Sequence, residues 1–121
     1  MKIVKFEELE CWKEARVLAK MVYKAARTKL FSKDRRLVDQ ITGAAISVMN
    51  NIAEGFDSGS DADFIRYLGY SRNSNSEIQS CIYIAIDQNY INQDEFKEVY
   101  QQAELCRKLI DGLRRYLRKK D

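Results

Sequence analysis

With 121 residues, 45% of them hydrophobic and 32% charged, and a net charge of +3, the chain has the size of one domain (1–121) and the composition of a soluble globular protein. There is no proline, no histidine and only five glycines, which disfavours turn-rich sandwiches and barrels and removes Ser-His-Asp triads, Cys-His nucleophiles and most zinc sites. Cys11, Cys81 and Cys106 are odd in number and lack C-x-x-C spacing, no apolar run reaches the roughly 18 residues of a membrane span, and the first residues lack the apolar segment of a signal peptide. The expectation is a cytoplasmic, non-enzymatic chain without metal or cofactor.

The first helix is predicted to begin near Phe6 to Glu8 and to run to about Thr28, with Trp12, Ala15, Ala19, Val22 and Ala26 as its buried stripe and Glu7, Glu8 and Glu10 favoured by the dipole at its start. A second helix is expected from about Asp34 to Glu54, burying Leu37, Ile41, Ala44, Ala45, Val48 and Ile52, with Gly55 as a left-handed cap. Asp57-Ser58-Gly59-Ser60-Asp61 reads as a loop, and Ser60 or Asp61 can cap the third helix. That helix carries Phe64, Leu68, Ser71, Asn75, Ile78, Ile82 and Ala85 through to about Gln88, so its two central positions are polar and need hydrogen-bond partners. After Asn89-Tyr90-Ile91, Asn92 with Glu95 is close to a capping box, and Phe96, Val99, Ala103, Cys106, Ile110, Leu113 and Leu117 form the stripe of a fourth helix. The fold class predicted is all-α, an antiparallel up-down-up-down four-helix bundle.

The signs of charge are segregated along the chain. Residues 1–36 hold 11 Lys or Arg against 5 acids, residues 37–105 hold 3 against 11, and residues 106–121 hold 7 against 2. In an antiparallel bundle the end of the fourth helix lies beside the start of the first, which would make the molecule two-faced. Lys13, Arg16, Lys20, Lys24 and Arg27 fall within an arc of about 80° on the first helix, and Arg114, Arg115 and Arg118 gather near the end of the fourth. Such a surface reads as phosphate-contacting, as a solvated outer face, or as one half of a head-to-tail subunit contact.

The run Ser47-Val48-Met49-Asn50-Asn51-Ile52-Ala53-Glu54-Gly55 resembles the S-I-x-x-N-I-A-E-G signature of the 23S rRNA-intervening-sequence proteins. Phe6-x-x-Leu9-x-x-Trp12-x-x-Ala15, Gln40-Ile41, Ser74-x-x-Glu77, Tyr90-Ile91 and Leu109-Ile110-x-Gly112-Leu113 extend the resemblance over nearly the whole chain. It implies a four-helix bundle assembled as a homopentameric ring, and contexts that involve nucleic acid: insertions in large-subunit rRNA genes, and accessory proteins that bind a reverse transcriptase. Thr42 and Gly43 stand where the family often has two arginines, so the basic surface is expected on the first and fourth helices.

Asn51, Glu54, Ser74 and Glu77 are expected to form a polar network across the second and third helices that fixes their register. The rival reading is a carboxylate pair, Glu54 with Glu77, able to hold a metal or shuttle a proton. Trp12 is expected in the core, and Tyr67, Tyr70 and Tyr83, off the main stripe, in a subunit interface. The functional expectation is an oligomeric scaffold that binds RNA or DNA non-specifically through helices one and four. The alternative is a protein-interaction adaptor, such as an accessory subunit docking onto a reverse transcriptase.

Overall fold

The structure, a computed structural model, describes residues 2–120; the two ends of the expected domain, Met1 and Asp121, lie outside the described residues. Among the described residues all regular structure is helical: α1 (Glu10–Ala26), α2 (Arg35–Asp57), α3 (Asp61–Asp87) and α4 (Gln93–Lys119), with 3-10 turns at Phe6–Glu8 and Phe31–Lys33. Each helix packs on its neighbours in sequence, α4 also closes against α1, and the most extensive contact is between α2 and α3. One apolar core fills the space between them, with Leu18, Phe31, Ile41, Ile52, Leu68, Ile78, Ile82 and Ile110 shut off from solvent.

The helix ends follow local chemistry. The Asp34 carboxylate accepts from the Leu37 N–H at 3.1 Å, Ser60 Oγ accepts from the Asp63 N–H at 3.1 Å, and Asn92 and Glu95 exchange both bonds of a capping box at 2.8 Å. At the end of α3, Asn89 takes the left-handed conformation (φ 62°), and the Tyr90 N–H reaches back to the Ala85 carbonyl at 2.9 Å while the Asn89 N–H donates to Ile86 at 3.0 Å. That is a Schellman ending in which asparagine stands in for glycine.

Three expectations change. The first helix starts at Glu10, because Leu9 is buried in an extended conformation (φ −72°, ψ 130°) that breaks the chain between the 3-10 turn and α1. Its buried face is Cys11, Ala15, Leu18, Val22, Ala25 and Ala26, rotated from the predicted stripe; Trp12 and Ala19 sit at the edge, half-buried. An apolar face flanked by two helices is wider than one 3-4 row, and Leu18 lies at its centre. Gly55 is not a left-handed cap either. α2 runs past it to Asp57, and the positive-φ glycine is Gly59 (φ 93°). Gly55 is buried where α3 comes closest: a Cβ there would stand 2.7 Å from Tyr67 Cβ and 3.0 Å from Phe64 Cδ1.

Candidate nucleic-acid interface

The outer surface of α1 follows from its period. With six small or apolar residues turned inward, the positions between them, Lys13, Arg16, Lys20, Lys24 and Arg27, are all exposed. Lys13 reaches Glu10 at 3.5 Å; no acid lies within salt-bridge distance of the other four among the described residues. Arg16 stands 6.0 Å from the centre of the Trp12 ring, and Phe6 meets that ring edge-on at 5.2 Å. Glu7, Trp12, Lys13, Arg16, Val17 and Lys20 line a shallow groove on this face.

The basic end of α4 is arranged differently. Arg115 and Arg118 are exposed, but Arg114 is half-buried: its guanidinium lies over Gly69 of α3, where an added Cβ would stand 3.2 Å from Nη2, and its Nε is buried with no protein acceptor among the described residues. Arg114 therefore packs against α3 and leaves the expected surface. Lys120 reaches Asp61 at 3.6 Å, so the C-terminal cations stand beside the acids that open α3. Arg107 donates to Glu104 at 2.7 Å and approaches Asp111 at 3.5 Å, while Arg72 of α3 donates to the other oxygen of Asp111 at 2.7 Å. The Arg107 guanidinium holds the Glu104 carboxyl below its ordinary range, and Glu104 raises Arg107 in return.

Of the four residues expected in the polar network, two take part. Ser74 Oγ donates to Ser47 Oγ at 2.8 Å, and Asn51 Nδ2 donates to the Ser47 carbonyl and hydroxyl, both at 2.9 Å. Glu54 and Glu77 are exposed and make no hydrogen bond to it. Carboxylates on the outer flank keep their hydration at no cost, whereas burial would demand a cation partner. Ser47, the first residue of the signature run, is the member not expected in this network; its position four residues before Asn51 is the signal the sequence offers. The two central polar positions of α3 also find partners: Ser71 Oγ donates to the Val48 carbonyl and Asn75 Nδ2 to the Ala103 carbonyl, both at 2.8 Å. Among the described residues no group of three or more Cys, Asp or Glu is arranged to hold a metal ion.

The three tyrosines do not share a patch. Tyr67 and Tyr70 meet edge-on at 5.9 Å, with the Arg66 guanidinium 5.0 and 5.7 Å from their rings. Tyr83 lies about 20 Å further along α3 and about 220° around it from Tyr70. It packs at a tilt against Phe96 (4.9 Å) and edge-on to Tyr100 (5.8 Å) of α4. Arg66 also donates to Asp63 at 2.9 Å, which lowers the Asp63 carboxyl below its ordinary range.

The α2–α3 flank has the opposite character. Residues 40–53 contain no charged side chain and residues 73–86 only Glu77. Gln40, Gly43, Ile46, Asn50, Ser80 and Ile84 face outward there. No helix among the described residues is long and apolar enough to cross a membrane.

No curated protein matches the chain. Its fold is shared by the crystal structure of a protein of unknown function from the S23 ribosomal protein family of Bacteroides thetaiotaomicron, which is 19% identical, with a TM-score of 0.74 over 85% of this chain and 96% of that one. The family model of the 23S rRNA-intervening sequence proteins matches residues 7–112, a span that includes α1, α2, α3 and most of α4, and the chain belongs to that family.

Proposed function

We propose that the protein is a non-enzymatic, oligomeric scaffold that binds RNA or DNA without sequence preference through the outer face of α1, assisted by Arg115 and Arg118 of α4. One observation carries this reading: Arg16, Lys20, Lys24 and Arg27 stand exposed in one stripe with no acid in salt-bridge reach among the described residues. A row of uncompensated cations at helical spacing exchanges condensed counterions for phosphates, and no base-reading element accompanies it. In this reading the bundle is antiparallel and up-down-up-down. The pairs Asp61 with Lys120, Arg72 with Asp111 and Asn75 with Ala103, in which the α4 partner falls as the α3 residue rises, support that course. Self-association, as a ring of five in the form the sequence resemblance implies, would use the uncharged α2–α3 flank, since depletion of charge marks the cores of subunit interfaces.

The test is light scattering and anisotropy with a short RNA duplex. Five phosphate contacts predict a fall in affinity of about 10²–10³-fold between about 50 and 200 mM salt. Reversing Lys13, Arg16, Lys20 and Lys24 to Glu abolishes binding if α1 is the surface. Unchanged binding by the folded variant removes α1 from the reading. A second reading is favoured by the same uncharged flank: an adaptor that docks onto a larger protein such as a reverse transcriptase, whose retention of that partner would be indifferent to nuclease.

A further inference from the structure

The chain has one tryptophan, and it is not in the core: Trp12 is half-buried in the groove that Lys13, Arg16 and Lys20 line on the basic face of α1. We infer that Trp12 is a stacking platform for an unpaired base, so that this stripe takes single-stranded nucleic acid in preference to duplex. The inference rests on the nucleic-acid reading of the same face and names its substrate form.

The geometry supports a platform. Phe6 packs edge-on against the indole at 5.2 Å and fixes its orientation, so little side-chain freedom is lost when a base lands on it. Arg16, at 6.0 Å from the ring centre, stands at the outer limit of a cation–π contact. A base between the indole and the guanidinium needs van der Waals contact of roughly 3.5 Å on each side, about 7 Å in all, so the flexible Arg16 side chain swings out by about 1 Å to admit it and then offers its own planar face to the same base. From Trp12 to Arg27 the stripe extends about 22 Å along the helix, enough for a run of about four nucleotides, the shortest site size of single-strand binders. Glu7 also lines the groove; its carboxylate repels phosphate and can accept from exocyclic amino groups, which favours a backbone path along Lys20, Lys24 and Arg27. A duplex keeps its bases stacked on one another and offers Trp12 nothing beyond its phosphates.

The single tryptophan is also the reporter. Oligouridylate and oligothymidylate of about twelve nucleotides, and the duplex of each with its complement, are added to the intact protein at low salt. The single strands are expected to quench Trp12 emission and the duplexes to leave it unchanged. Followed by anisotropy of a labelled strand, Trp12→Leu, which keeps apolar bulk, should weaken single-strand binding about tenfold or more, the scale of one base stack, with duplex binding unchanged, and Trp12→Phe should restore most of it. Equal affinity of wild type and Trp12→Leu for single strands overturns the platform while leaving the basic surface standing. Failure of the wild type to bind either form overturns the nucleic-acid reading and the platform with it. If Trp12→Leu does not fold, the wild-type emission decides: quenching by bound single strands and not by bound duplexes supports the platform, and emission unmoved by a bound single strand overturns it.

Discussion

Gly43 and Gly55 lie in the same helix, yet the same substitution should act on them with opposite sign. Alanine is favoured over glycine inside a helix by about 1 kcal/mol. At Gly43, exposed and with no atom of its own protomer within 4 Å of an added Cβ, that preference acts alone within the protomer, so Gly43→Ala should stabilise the protomer by about 0.5–1 kcal/mol. At Gly55 the new Cβ meets Tyr67 Cβ at 2.7 Å and Phe64 Cδ1 at 3.0 Å. The first of these is fixed to the α3 backbone and cannot swing away, so α3 must retreat by about 1 Å along the largest helix contact in the molecule to recover carbon–carbon contact of about 3.5–4.0 Å. Overpacking of this kind costs about 1–3 kcal/mol. Set against the helical gain, Gly55→Ala comes out destabilising by up to about 2 kcal/mol. Urea unfolding followed by circular dichroism reads the difference. With a slope of about 1–3 kcal/mol per M, a gap of about 2 kcal/mol separates the two midpoints by about 0.7–2 M. Two variants that move the midpoint in the same direction would refute the close approach of α2 and α3 at Gly55.

Two further predictions concern buried polar groups. The Asn75 amide donates to Ala103, but its Oδ1 is buried without a protein donor among the described residues, so the isosteric Asn75→Leu should leave the urea midpoint unchanged or raise it, whereas Asn75→Asp should cost more than about 3 kcal/mol; a loss above about 1 kcal/mol in Asn75→Leu would show the amide to be fully satisfied. Burial pushes the Cys11 and Cys106 thiols up to about 12, and raises half-buried Cys81 less far, with Glu77 adding to the effect; iodoacetamide at neutral pH followed by peptide mass mapping should therefore find Cys81 modified first and the other two only on unfolding.

What the sequence made legible was local. The caps at Ser60 and Asn92 and the loop after Asp57 depend on residues within three positions of one another, and so they could be read from spacing. What it concealed depends on which helix lies opposite. Gly55 after Glu54 carries the local mark of a helix stop, and only the approach of Tyr67 shows that it serves packing. Arg114 reads as one of a basic cluster until Gly69 is seen to leave room for its guanidinium on α3. Ser47, and not Glu54 or Glu77, joins Asn51 to Ser74 because register places the short hydroxyl inside and both carboxylates outside. The 3-4 row that points Trp12 to the core runs along the edge of the buried face, with Leu18 at its centre.

Counting charges along the chain and pairing them in space give different electrostatic surfaces, and the second governs what the protein attracts. The C-terminal segment looked as basic as the first helix, but Arg107 is held by Glu104 and Asp111, Lys120 approaches Asp61, and Arg114 is folded onto α3. In α3 the cations Arg66 and Arg72 are likewise occupied by Asp63 and Asp111. Whatever such partly exposed pairs add to stability, each cancels field at the surface. The hydrogen bonds that pin the polar centre of α3 to Val48 of α2 and Ala103 of α4 involve no charged group, so the interior consumes none of the cations of α1. Arg16, Lys20, Lys24 and Arg27 are left along one face with no acid within salt-bridge distance among the described residues. Field from four such groups at one-turn spacing adds along the helix axis and attracts polyanions before any contact is made, which favours the proposed interface on α1, with Arg115 and Arg118, also without a salt-bridge partner among the described residues, assisting from α4.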